Sequence, residues 1–181
     1  MTQLLDAARG GEPGALDRIF ELLYPELRQA AHRRLARNSG DGLLGTTALV
    51  NECYLKFLHG RQLVPMDRTH FLAYSATVMR SIIVDAARRA QSERRGGDAE
   101  HVELDDALAD SLAAPAAEIL DVHAALEQLA AVDPRLVRVV EMRYFVGMTD
   151  DEIGEALELS SRTVRRDWDK ARLLLAHALR G

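Results

Sequence analysis

With 181 residues the chain is long enough for one ordinary domain or two small ones, and its 48% apolar content excludes a wholly disordered polymer. Aromatic residues make up only 5% while Ala, Leu and Arg abound, which favours helices, and no run approaches the ~18 apolar residues of a membrane span. The net charge of −5 divides unevenly: residues 1–97 carry +4, residues 98–118 carry −7 with no Lys or Arg, and residues 119–181 carry −2. Acidity is therefore local, and cationic patches elsewhere remain available for a polyanion. The start, Met1-Thr2-Gln3-Leu4-Leu5-Asp6, lacks the basic and apolar regions of a secretory signal, and the lone Cys53 suits a reducing compartment. A cytoplasmic protein without membrane attachment is expected.

Four helical patterns fill residues 1–95. A short helix near Leu4–Arg9 ends at Gly10-Gly11, and Pro13 suits the first turn of the next, whose Leu16, Ile19, Phe20 and Leu23 recur at helical spacing. Pro25 should kink or interrupt that helix before it continues through Leu27, Ala31 and Leu35. The polar segment Asn38–Gly45 breaks the pattern. A third helix follows Thr46-Thr47, with Leu49, Val50, Tyr54, Phe57 and Leu58 on one side. After the loop Gly60–Arg68 a fourth runs from about Thr69 to Arg89, with Phe71, Tyr74, Val78 and Ile82 as its stripe. Residues 96–116, acidic and opened by Arg95-Gly96-Gly97, have the composition of a flexible linker.

Residues 117–181 form a second helical unit. Its first helix spans about Ala117–Ala130. Asp133-Pro134 marks a new start and Gly147 a stop. Thr149-Asp150-Asp151-Glu152 has the form of a capping box for a short helix, Asp150–Leu157. A tight turn at Glu158-Leu159 follows, and Ser160 can cap a long helix from Ser161 to about Leu179. A capped helix, a tight turn and a second helix make a helix-turn-helix. On the second helix Val164, Trp168, Ala171 and Leu175 share an inward line, while Arg162, Arg166 and Asp169 lie opposite and Arg165 and Lys170 flank them. Arginines near the N-terminus of such a helix suit bidentate contacts to guanine in the major groove, and Ser160, Ser161 and Thr163 suit phosphates or base edges. The plainer alternative is a solvated amphipathic helix kept soluble by its arginines. The expected class is thus all-α: two small helical domains, 1–95 and 117–181, joined by an acidic linker, 96–116. No HExxH, CxxC, Walker or GxSxG motif occurs, and the six histidines (His32, His59, His70, His101, His123, His177) lack metal-ligand spacing, so no enzyme, cofactor or metal site is expected.

Several stretches resemble the extracytoplasmic-function sigma factors. Ala124–Leu129, Val139–Thr149, Glu152-Ile153, Leu159–Val164 and Lys170-Ala171-Arg172 resemble sigma region 4. Leu49-Val50-Asn51-Glu52 with Tyr54-Leu55-Lys56, then Phe71, Tyr74 and Met79–Arg89, resemble sigma region 2. The resemblance covers nearly the whole chain. It implies promoter DNA and core RNA polymerase, through its β′ clamp and β-flap, as partners, and an anti-sigma factor as the usual regulator. It assigns the −35 element to Ser160, Ser161, Arg162, Thr163, Arg165, Arg166, Asp169 and Lys170. It assigns −10 melting to Tyr74, Arg80, Ser81, Arg88, Arg89, Arg94 and Arg95, and polymerase docking to Leu49, Asn51, Glu52 and Lys56. For Arg88, Arg89, Arg94 and Arg95, complementation of a helix C-terminus is an equal alternative. The acidic linker, by the same resemblance, passes through polymerase channels that otherwise hold nucleic acid, where its acids either imitate phosphates or merely keep a spacer soluble. A repressor or activator with a similar helix-turn-helix, acting without core polymerase, is the rival reading.

One departure stands out. Where the family usually carries acids just before the docking helix, this chain has Gly45-Thr46-Thr47-Ala48. Phosphorylation of Thr47, or of Thr46, by a serine/threonine kinase would restore about −1.5 to −2 charges at a helix N-terminus. Either threonine also suits a plain N-cap.

Overall fold

The structure, a computed structural model, describes residues 2–36, 44–59, 67–94 and 106–180, and for 2, 9, 33–36, 93–94 and 106–115 the backbone alone. Among the described residues there is no strand. The elements are α1 (Thr2–Arg9), α2 (Ala15–Ala36), α3 (Thr46–His59), α4 (Arg68–Arg94), α5 (Asp106–Val132), α6 (Pro134–Glu141), a π-helical turn (Met142–Val146), α7 (Asp150–Leu157) and α8 (Ser161–Ala178). None of these helices is long and apolar enough to cross a membrane.

Two details of the first half correct the sequence expectation. Pro13 does not enter the first turn of α2: the helix begins at Ala15, and Gly14, at φ 77°, makes the turn before it. Pro25 does not interrupt α2, which passes through it as one element of 22 residues. A missing N–H and a crowded carbonyl cost that helix something, but its inner residues Ile19, Phe20, Leu23, Leu27, Ala30 and Ala31 are all buried, and that packing holds it together. On α3 the inward set is Leu49, Val50, Cys53 and Phe57; Leu58 is exposed, contrary to expectation. Burial pushes the Cys53 thiol up to about 12, so it remains protonated and inert. The few aromatic rings are concentrated: Phe20, Tyr54, Phe57, Phe71 and Tyr74 meet edge-on or tilted at 4.8–5.3 Å between centroids.

Helix α4 is the axis of the molecule. Phe71, Leu72, Ala76, Met79, Ile82, Ile83, Val84 and Ala87 are buried on more than one side, as a helix enclosed by others must be. It packs against α3 on one side and against α5, α6, the π turn and α7 on the other. One apolar cluster consequently takes residues from both halves, joining Phe71, Met79 and Ile82 to Val139, Met142, Phe145, Val146 and Ile153. A second, smaller one (Leu126, Leu129, Leu136, Val137, Val140 and Ala171) lies within the C-terminal half.

Helix α5 begins at Asp106, inside the stretch expected to be a flexible linker and eleven residues before the expected start at Ala117. The sequence Asp106–Ala117 is rich in Ala and Leu, which are good helix formers. The helix includes Pro115 all the same. The rest of that acidic stretch, 96–105, lies outside the described residues, as do Arg95 and the loop residues 60–66.

Candidate nucleic-acid interface

The helix-turn-helix is built as its sequence predicts. Asp133 caps α6, its carboxylate accepting the Arg135 amide at 3.1 Å, with Pro134 in the first turn. After the π turn, Gly147 takes φ 80° and ends the segment. The capping box is complete: Thr149 Oγ1 accepts the Glu152 amide at 3.3 Å, and Glu152 Oε2 accepts the Thr149 amide at 2.8 Å. That amide, and next the Arg68 guanidinium, hold the Glu152 carboxyl below its ordinary range. Glu158 turns the chain in the left-handed region at φ 56°, and Ser160 Oγ accepts the Thr163 amide at 3.2 Å to open α8. Gly154, which the sequence reading did not single out, makes the tight crossing possible: a Cβ there would lie 2.6 Å from the Leu159 carbonyl oxygen.

On α8, Val164 and Ala171 are fully buried, and Trp168 and Leu175 are partly buried, so the inward line is as expected. Trp168 is enclosed by two guanidiniums, Arg143 at 4.9 Å and Arg172 at 6.0 Å from its centroid. Desolvation beside the ring lowers the Arg143 pKa from its usual value. The outward face presents Arg162, Arg165, Arg166, Asp169 and Lys170, with the Arg165 and Arg166 side chains 72% and 75% exposed. Ser160 is exposed, and Ser161 and Thr163 are half-buried. The acids that open α7 also brace this face: Asp150 meets Arg143 and lies 3.4 Å from Arg165, while Asp151 accepts the Ser161 hydroxyl. Asp167, buried beside the apolar line and paired with Arg135 at 2.8 Å, was missed; a carboxylate one residue from Trp168 was its only signal.

The second arginine set is arranged differently. Arg80 is 12% exposed and donates to Glu141 Oε1 at 2.8 Å and Glu127 Oε1 at 2.7 Å. Thr77 donates to the other Glu141 oxygen at 2.8 Å. Ser81 accepts from Lys56 Nζ at 2.7 Å, and Lys56 also pairs with Asp85 at 3.1 Å. Tyr74 stacks edge-on against Phe57. Arg88 and Arg89 are exposed; because α4 runs to Arg94, they lie more than a turn before its end and do not complement its C-terminus. Arg94 is helical, but its side chain and all of Arg95 lie outside the described residues. The sequence reading overlooked Glu141. The signal was present: an acid one turn after Val137, on the buried side of α6.

On α3, Asn51 and Glu52 are exposed and Lys56 is half-buried, whereas Leu49 is fully buried and supports the helix from within. Leu49 therefore has no surface for a partner. The Gly45 carbonyl accepts the Leu49 amide at 2.9 Å, which puts the cap at Gly45 and both threonines in the first turn. Neither Thr46 nor Thr47 is the N-cap. Thr47 is exposed, Thr46 half-buried, and the first turn contains no acid. No cluster of metal-ligating side chains occurs among the described residues.

Neither the curated proteins nor the solved structures gave a significant match to this chain. The model of the ECF sigma factor family matches residues 1–181, the whole chain. An all-α chain with a capped helix-turn-helix and a cationic α8 is what that match leads one to expect, and this chain belongs to the ECF sigma factor family, whose members act in transcription initiation.

Proposed function

We propose that α8 reads the −35 element, that α4 contributes to melting and reading the −10 element, and that α3 docks on the β′ clamp of core polymerase through Asn51, Glu52 and Lys56. The observation that carries this reading is the face of α8. Ser160 caps the start of the helix by accepting the Thr163 amide, and Arg162, Arg165 and Arg166 are exposed towards the same end. Phosphate contacts from Ser161 and Thr163 would set the register while the arginines discriminate bases. The second half of the chain would also meet the β-flap. The experiment is promoter binding by polymerase reconstituted with wild-type or Arg162→Ala/Arg166→Ala protein. Loss of −35 dependence, with −10 dependence kept, is the supporting result.

Docking is gated, in this reading, by phosphorylation of Thr47, with Thr46 as the secondary site, by a serine/threonine kinase that takes the place of an anti-sigma factor. Support comes from the exposure of Thr47 and the absence of any acid in the first turn of α3. A phosphate there would supply about −1.5 to −2 charges at the N-terminal end of α3. Thr47→Glu should transcribe more strongly than Thr47→Ala with purified core enzyme. A Thr46→Ala/Thr47→Ala protein fully active in cells overturns the gate.

A further inference from the structure

The face of α4 that carries Arg80 is occupied. Thr69, Thr77, Arg80 and Arg88 follow one another along that helix, and each meets a side chain of the C-terminal half. Thr69 donates to Glu155 at 3.0 Å, Thr77 and Arg80 to Glu141, Arg80 also to Glu127, and Arg88 lies 3.1 Å from the His123 ring. One residue before Thr69, Arg68 joins Glu26 of α2 to Glu152 of α7. In all five of these contacts to carboxylates of the C-terminal half the donors stand on α4 and the acceptors on α5 (Glu127), α6 (Glu141) or α7 (Glu152 and Glu155). Between them lies a cavity of about 210 Å³ lined by Thr77, Arg80, Ser81, Asp85, His123 and Glu141 among others.

Glu141 is the informative residue. Its side chain is 6% exposed, at the end of a helix whose neighbouring inward residues Leu136, Val137, Val139 and Val140 are all apolar. A buried carboxylate is costly unless paired, and a hydrophobe of similar size is often at least as stable there. Stability alone therefore gives no reason for an acid at this position. What Glu141 does is hold Arg80, with both oxygens engaged by α4. A row of carboxylates meeting cationic and hydroxyl donors along one helix face has the charge pattern of a phosphate backbone meeting the same groups.

We propose that the C-terminal half is an intramolecular cover for the nucleic-acid face of α4, in which Glu141, Glu127 and Glu155 stand where the phosphates of a single strand would lie. The free protein is closed, and single-stranded promoter DNA competes with the cover for Arg80. This rests on the reading of α4 given under Proposed function. Opening also separates Met142, Phe145 and Val146 from the apolar cluster they share with α4, a cost that core polymerase, the partner the family supplies, would offset by covering those side chains.

The test uses the full chain, with labels at Ser92→Cys, at the end of α4, and Leu173→Cys, exposed on α8. Buried Cys53 stays unlabelled. The closed form gives one short inter-label distance in the free protein, and Glu141→Gln/Glu127→Gln lengthens it. The same double variant, without labels, binds a short fluorescein-labelled single-stranded oligonucleotide about tenfold more tightly than wild type, a change of about 1.4 kcal/mol. A control, Glu118→Gln/Asp121→Asn, removes the same charge from exposed positions of α5 and leaves affinity unchanged. A wild-type chain that is already open, or a double variant that stays closed, overturns the cover alone. An opened variant that gains no single-strand affinity overturns the competition together with the reading of α4 on which it rests.

Discussion

Helices α8 and α4 carry the two arginine sets that the family reading directs at promoter DNA, and the molecule handles them in opposite ways. α8 lies at the edge of the fold, where its inward line is packed and the Arg162, Arg165 and Arg166 side chains stand exposed. α4 lies at the centre, and Arg80, the cation midway along it, is enclosed by Glu127, Glu141 and His123. Equal charges in sequence are thus unequal in availability. An arginine at a helix N-terminus near the surface is ready to bind, whereas one in the middle of an enclosed helix must first lose its partners.

The sharpest way to break the comparison is to delete one arginine from each helix. Arg80→Ala leaves Glu141 buried beside Thr77 alone, and the expected loss of stability is about 3–5 kcal/mol. Arg166→Ala removes an exposed side chain and should change stability by no more than about 0.5 kcal/mol. Urea unfolding of the two variants separates these outcomes, and equal losses would mean that Arg80 is not enclosed. Next in size is Gly154→Val. Its Cβ meets the Leu159 carbonyl, so the turn must shift, at roughly 1–3 kcal/mol. Melting temperature and duplex binding should fall together.

Arg162→Ala/Arg166→Ala should weaken duplex binding by roughly 1–3 kcal/mol per lost bidentate contact and leave the melting temperature in place. An unchanged duplex affinity would remove α8 from the interface. Thr149→Ala, which opens the capping box, should cost about 1 kcal/mol, read by thermal unfolding.

The smallest effect is with pH. Burial, and next the neighbouring Arg80, lowers the His123 pKa from its usual 6.5. Around the ring stand Arg80, Arg88 and Asp85 of α4, Glu127 of its own helix and, across the cavity, Glu141. Because the packed state holds this proton less tightly than the unfolded chain, its contribution is complete above about pH 6.5 and declines as the pH falls below that value. Melting temperature should drop modestly between pH 7 and pH 5, and His123→Gln should flatten the profile.

Much of this was legible in the sequence, because caps and turns are local chemistry. Thr149 and Glu152, Ser160 and Gly147 were placed correctly, as were the two faces of α8. What failed was what depends on distant neighbours. Pro25 was overruled by the packing around α2, and the helicity of Asp106–Ala117 was obscured by its acids and Pro115. Leu49 looked like a docking residue but lies in the core. The enclosure of Arg80 by residues 47 and 61 positions away leaves no periodic trace, and only the acid at Glu141 on an apolar face hinted at it.

The most direct measurement is run-off transcription from a library of genomic promoters, with purified core polymerase and the wild-type, Thr47→Glu or Thr46→Ala/Thr47→Ala chain. The account predicts initiation that requires both core enzyme and this chain, strongest with Thr47→Glu. No initiation with any form, alongside duplex binding indifferent to core polymerase, would contradict it.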